Sequence, residues 1–265
     1  MVLPLKVSLI QQDIVWQDES TNLSKLITLI NDIKDCDIIL LPEMFTTGFS
    51  MSTDFADKNK KVLNWMLDTA KKENVAVTGS VMVEEDSNFF NRFYFVTPEG
   101  QYWQYDKKHL FRMATEDQHY VAGKERLIFE YKGWRICPLI CYDLRFPIWS
   151  RNLSSDSKEP VFDLLIYVAN WPKKRSEAWK TLLSARAIEN SSYVIGVNRV
   201  GCDANGHTYN GDSGIISAEG QWLVKDETHE ESILSFTLDF NLLSEYRKSF
   251  PTWMDADGFS VPFGK

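Results

Sequence analysis

The sequence predicts an α/β fold in which sheets are layered and helices lie outside. Three observations predict it. Strand-like runs alternate with helix-like ones through most of the chain. Consecutive hairpins interrupt that alternation, at Pro98-Glu99-Gly100 and at Lys132-Gly133, so a simple doubly wound sheet does not fit. Finally, 265 residues that are 44% hydrophobic suffice for a sizeable core.

The elements follow in order. Residues 6–11 alternate at period two and read as a strand. Residues 20–33 read as an amphipathic helix, with Leu23, Leu26, Ile27, Ile30 and Ile33 on one face and Ser20 as N-cap. A short buried strand spans 37–41. Residues 55–72 form a second helix, with Val62, Trp65, Met66 and Ala70 near helical spacing. Strands follow at 75–83, 91–97 and 101–105, the last two joined by the Pro-Glu-Gly turn. Residues 126–131 and 134–140 pair as a hairpin. Residues 162–168 read as strand, 176–189 as helix and 192–200 as strand. Short strands separated by Gly and acidic turns fill 207–236, and the last helix covers 242–248. The aromatic tail, about 250–265, is expected to pack on the body or on a partner subunit. No linker, low-complexity stretch or internal repeat divides the chain, so residues 1–265 read as one domain.

Composition excludes several classes. A net charge of −8 leaves no Lys/Arg excess for phosphates, so no nucleic-acid partner is expected. The one dense basic run, Lys173-Lys174-Arg175, reads as a solvated helix start. No stretch approaches the roughly 18 apolar residues of a membrane span, and the N-terminus has no secretory pattern. Cys36, Cys137, Cys141 and Cys202 lack metal-ligand spacing, and the four histidines are scattered, so no metal or cofactor is expected. Reduced thiols point to the cytoplasm.

Chemistry concentrates where predicted strands end. Cys141 closes the apolar run Trp134-Arg135-Ile136-Cys137-Pro138-Leu139-Ile140 and turns toward a helix start, a place expected to lower a thiol pKa and gather N–H donors. Cys137, mid-strand, reads as an inert core residue. Glu43 ends Leu40-Leu41-Pro42, where a partly desolvated carboxylate suits a general base, though taken alone such a residue is more often a first-turn acid. Lys107 follows another strand and suits an oxyanion. Chemistry alone does not separate it from Lys108. A nucleophile, a base and a cation suffice for amide hydrolysis.

Together these residues carry a resemblance. Leu41-Pro42-Glu43, Tyr105-Asp106-Lys107-Lys108-His109-Leu110-Phe111 and Ile140-Cys141-Tyr142-Asp143-Leu144-Arg145-Phe146-Pro147 resemble the three catalytic motifs of the nitrilase, or carbon–nitrogen hydrolase, superfamily. The resemblance runs from about residue 6 to at least 236. It selects Lys107 over Lys108. It implies a four-layer α-β-β-α sandwich, a homodimer, no cofactor and a second glutamate at Glu116, beside Asp117. It also assigns the pocket loop Ala169-Asn170-Trp171-Pro172. Met44-Phe45-Thr46-Thr47-Gly48-Phe49, Phe111-Arg112-Met113-Ala114 and Phe146-Pro147-Ile148-Trp149-Ser150-Arg151-Asn152 resemble the bacterial omega-amidases, which hydrolyse 2-oxoglutaramate and 2-oxosuccinamate. Cys141-Tyr142-Asp143 departs from the Cys-Trp-Glu of nitrilases proper. The Tyr142 backbone N–H is expected to share the oxyanion with Lys107. Phe45, Trp171 and Tyr142 could wall the pocket. Arg145 is either the cation for a substrate carboxylate or one half of a structural ion pair. Other small-molecule substrates for the same machinery are an N-carbamoyl amine, an aliphatic amide or a deaminated glutathione-like peptide. A silent scaffold of the same fold is the non-enzymatic alternative.

Overall fold

The structure, a computed structural model, describes residues 2–152 and 159–257. Its centre is a pair of six-stranded mixed sheets. The first contains β1 (Leu5–Gln11), β2 (Ile38–Leu40), β3 (Ala76–Glu85), β4 (Asn88–Val96), β5 (Tyr102–Asp106) and β14 (Ser232–Leu238), in the order β14-β1-β2-β3-β4-β5. The second contains β6 (Phe129–Tyr131), β7 (Trp134–Ile140), β8 (Leu164–Ala169), β9 (Tyr193–Asn198), β12 (Gly214–Ile216) and β13 (Trp222–Lys225), in the order β13-β12-β9-β8-β7-β6. The strands β10 (Val200–Cys202) and β11 (Thr208–Asn210) form a separate ribbon.

Period-two alternation sorts the first sheet into two faces. Leu5, Val7, Leu9, Ile38, Leu40, Phe93 and Phe95 meet the second sheet in one buried cluster with Ile136, Leu139, Ile166 and Val168. Ile39, Leu41, Tyr94 and Val96 point the other way, onto α1 (Glu19–Asp32) and α2 (Lys61–Glu73). Across the second sheet, α4 (Ser176–Asn190) presses Trp179, Leu183 and Ala187 against the strands. It comes so close that a Cβ on Gly196 of β9 would lie 2.6 Å from Leu183. The last helix, α5 (Phe240–Ser249), joins this outer layer through Phe240 and Leu243. The result is the expected α-β-β-α sandwich. Each fully buried large apolar side chain contributes roughly 1.5–3 kcal/mol to holding the layers together.

Local boundaries differ from the sequence expectation for identifiable reasons. Asp18, not Ser20, caps α1, because its carboxylate accepts both the Thr21 N–H at 3.0 Å and the Thr21 hydroxyl at 2.7 Å. The second helix starts at Lys61 rather than 55. Asp57 accepts the N–H groups of Lys61 and Val62 there, and residues 53–55 make only a single 3-10 turn. Strands β3 and β4 run further than expected and join as a hairpin through Asp86 and Ser87, both at positive φ, a turn not anticipated. Only Phe129–Tyr131 of 126–131 is strand. Of the aromatic tail, Phe250 and Met254 are exposed and Trp253 is half-buried, while 258–265 lie outside the described residues.

The topology sets the position of the site. Strands β1, β2 and β3 are mutually parallel, as are β7, β8 and β9. Ligands of α/β sheets bind beyond the carboxyl ends of such strands. The residues that follow β2, β5, β7 and β8 are those singled out above.

Candidate active site

Glu43, Lys107 and Glu116 meet in a buried cluster. Lys107 Nζ donates to Glu43 Oε1 at 2.8 Å and to both oxygens of Glu116 at 3.0 Å. All three side chains are fully buried. Glu116 opens the single-turn helix α3 (Glu116–His119), and its Oε2 accepts the Phe111 N–H at 2.5 Å. Burial opposes the charge on Lys107, but Glu116 and Glu43 outweigh it and raise the ammonium pKa. Burial also raises the Glu116 pKa, with Lys107 pulling it down and Glu43 pushing it up.

The Cys141 thiol lines the same cleft as Lys107 and lies close enough to Glu43, Lys107 and Glu116 to feel their charges. Cys141 sits at φ 43°, a left-handed conformation rare for a residue with a Cβ. The turn is secured by Asp143, which accepts the Ile140 N–H at 3.1 Å. Asp143 also binds the Tyr105 hydroxyl at 2.7 Å and the His109 N–H at 2.9 Å. One buried carboxylate therefore ties the nucleophile turn to the segment carrying Lys107. The expected lowering of the thiol pKa is not found. Desolvation and the carboxylates of Glu43 and Glu116 push it well above the usual thiol range, and Lys107 only partly offsets them. The element after Ile140 is a five-residue 3-10 helix, 141–145, rather than the helix expected there. Cys137 is buried inside β7, and burial pushes its pKa up to about 12, as befits an inert core thiol.

A motif order and a strand-end placement thus coincide with a buried contact between Glu43, Lys107 and Glu116. The carbon-nitrogen hydrolase family model matches residues 6–248. The chain belongs to the carbon-nitrogen hydrolase family. This carbon-nitrogen hydrolase is 47% identical over 258 residues to Omega-amidase YafV of Escherichia coli (strain K12), covering 97% of this chain and 98% of that one. It is 35% identical over 255 residues to the 2-oxoglutaramate amidase of Bacillus subtilis (strain 168), covering 94% and 96%. Among solved structures, XC1258 from Xanthomonas campestris, a CN-hydrolase superfamily protein with an arsenic adduct in its active site, superposes at TM-score 0.94. It has 42% identity, with 98% of this chain and 99% of that chain covered.

The hydrolase's cleft, about 180 Å³, opens over Cys141 and Lys107 and is lined by Tyr142, Arg145, Asn170 and Trp171 among others. Of the proposed wall residues, Trp171 and Tyr142 are present. Phe45 is not. It is fully buried on the helix side of the first sheet, tilted against Trp65 at 6.1 Å, and Phe49 takes its place at the cleft. Arg145 stacks over Trp171 at 4.9 Å, and no carboxylate pairs with it among the described residues, so the ion-pair alternative does not describe it. Lys174 and Arg175, read from sequence as a solvated helix start, line the cleft instead. Arg175 lies 5.2 Å over Phe111, and its carbonyl accepts the Trp171 indole N–H at 2.8 Å.

Two asparagines contact Glu43 in ways the sequence did not disclose, although Asn170 belongs to the pocket loop that the resemblance assigned. Asn91 donates to Glu43 Oε1 at 2.7 Å and more weakly to Glu116 at 3.3 Å, while Ser80 donates to it at 2.8 Å. Asn170 donates its backbone N–H to Glu43 Oε2 at 2.7 Å. For Asn91 the available signal was an asparagine at the start of a predicted strand, where that residue is depleted. A larger, shallower groove of about 410 Å³, between Arg135, Phe240, Arg247 and Trp253, lies away from these groups. No cluster of His, Cys, Asp and Glu among the described residues suits a metal ion, and no described helix is long and apolar enough to cross a membrane.

Proposed function

We propose that this chain hydrolyses the terminal amide of small 2-oxo acid amides, such as 2-oxoglutaramate and 2-oxosuccinamate, to acid and ammonia through a thioester on Cys141. The observation that carries the chemistry is Cys141 opening on the same cleft as Lys107, whose Nζ holds Glu43 Oε1 at 2.8 Å. Glu43 takes the thiol proton as sulfur attacks the amide carbon. The carbonyl electrons move to oxygen, where the Lys107 ammonium and the Tyr142 N–H receive the charge. Losing one such donor costs roughly 2.7–4 kcal/mol in the barrier. The intermediate collapses, Glu43 protonates the nitrogen, and ammonia leaves. A water deprotonated by Glu43 then attacks the thioester, and the departing sulfur recovers its proton. Glu116 and Asn91 hold Lys107 and Glu43 in register. No metal or organic cofactor enters the sequence of steps.

The substrate class rests on the cations of the cleft. In a chain of net charge −8, Arg145, Lys174 and Arg175 gather around one small opening. A guanidinium on an aromatic face is preorganised to take a carboxylate in a forked pair. The names of the relatives fit a carboxylate-bearing amide. The same reading carries a homodimer working in the cytoplasm.

Ammonia release should be measured with 2-oxoglutaramate, glutamine and a carbamoyl amino acid. Rapid release from the first, little from the others and none from Cys141→Ala is expected, with Cys137→Ala active. Turnover by folded Cys141→Ala would eliminate the thioester route. Preference for the carbamoyl compound, with carbon dioxide formed, would move the chain to a different substrate class.

A further inference from the structure

Asn170 follows β8 and lines the cleft beside Cys141, with its residue only 4% exposed. Its side-chain Nδ2 donates to the Glu43 carbonyl at 2.5 Å. That bond sets the amide orientation, since the flipped form would oppose two oxygens. Its Oδ1 is consequently left buried without a hydrogen-bond partner. Unpaired buried acceptors are rare and unfavourable, which marks this atom as waiting for a donor.

The neighbours narrow what that donor is. Glu43 Oε1 is held by Asn91 and Lys107, and Oε2 by the Asn170 N–H. The Cys141 thiol lies near enough to the same carboxylate to feel its charge. A substrate amide nitrogen brings two N–H groups, and Glu43 has little capacity left for them. We infer that Asn170 Oδ1 accepts an N–H of the substrate's amide nitrogen, making Asn170 a catalytic residue that recognises the leaving group as an amine. This rests on the Glu43–Cys141 reading above. In the tetrahedral intermediate, Asn170 holds one N–H and so turns the nitrogen lone pair toward protonated Glu43. The proton passes from Glu43 to nitrogen, the C–N bond pair leaves with nitrogen, and ammonia departs. Asn170 neither gives nor takes a proton, because an amide oxygen is too weak a base.

An ester of the same acid acylates the same thiol but has no N–H. The test compares kcat/KM for 2-oxoglutaramate and for the corresponding terminal methyl ester. In Asn170→Ala, the amide value should fall roughly 10- to 100-fold, the cost of an N–H left without its acceptor. The ester value should fall only a few-fold, so the amide-to-ester ratio shifts at least tenfold. Asn170→Ser, smaller and less disruptive, should shift the ratio in the same direction. Asn91→Ala, which disturbs Glu43 from its other oxygen, should lower both substrates together. Equal losses on amide and ester in both Asn170 variants would overturn the inference and leave Asn170 as a support for Glu43. A separate readout guards the underlying reading. Mass spectrometry of wild type quenched during ester turnover should find the acyl group on Cys141. Its absence there would overturn the covalent route, whatever Asn170 does.

Discussion

In the proposed mechanism Cys141 is a thiol beside its base rather than a thiolate in waiting. Desolvation, followed by the Glu43 and Glu116 carboxylates, raises its pKa against one ammonium, so the protonated form persists through neutrality. Alkylation by iodoacetamide should therefore accelerate steadily from pH 7 to 9. A rate already level at pH 6–7 would reveal a resting thiolate and contradict this electrostatic account. The residue scale also shows what spacing can disclose. Glu43, Lys107 and Cys141 were singled out because three short motifs in order resemble the family's, a pattern written in neighbouring letters. The roles of Asn91 and Asn170 were not, since they consist of hydrogen bonds to Glu43, 48 and 127 positions distant in the chain. Phe45 was misplaced because a strand-end loop does not disclose which of its aromatics turns inward.

Elements hold these residues in register through a few close approaches. Gly123 donates its N–H to the Lys107 carbonyl at 2.9 Å, and a Cβ there would lie 2.0 Å from the Asp106 carbonyl oxygen. Gly123→Ala should push the end of β5 aside and move Lys107. A folded variant with kcat/KM lowered about 100-fold is expected, since a misplacement of about 1 Å costs that much. Circular dichroism with kinetics checks both halves. On the far side, Asp163 joins α5 to the second sheet by receiving Arg135 and Arg247, each at 2.6 Å. Asp163→Asn should cost roughly 2–4 kcal/mol in urea unfolding, less than a fully buried pair because Arg135 is partly exposed. Burial acts to raise the Asp163 pKa, but the two arginines hold it below the ordinary carboxylate range. Its contribution is thus complete above the unfolded value, about 3.9, and is lost as pH falls through the lower folded value. The stability gap between wild type and variant should accordingly narrow below about pH 4.

At the scale of the whole molecule, the outer surface carries the remaining question of assembly. Ile148 and Ile188 are 60% and 52% exposed, and Arg151 links their segments by donating to the Glu189 carbonyl at 2.5 Å. Apolar side chains left open on adjoining segments suit burial against a second copy. Light scattering should give twice the chain mass of 30.7 kDa, and Ile148→Asp with Ile188→Asp should shift it toward the monomer. A wild type at the single-chain mass under dilute and concentrated conditions alike would remove the dimer from this picture. Retention of substrate preference in the monomeric variant would then show that the cleft needs no partner.

The amino-acid order by itself determined the layered α/β class, the three strand-end residues and the family, because periodicity and short motifs are local properties of the chain. Only the tertiary structure decided that Lys174 and Arg175 face the cleft, that Phe45 does not, and that the thiol stays protonated. Those outcomes depend on which groups the folded sheets bring within a few ångströms, and on how little water remains between them.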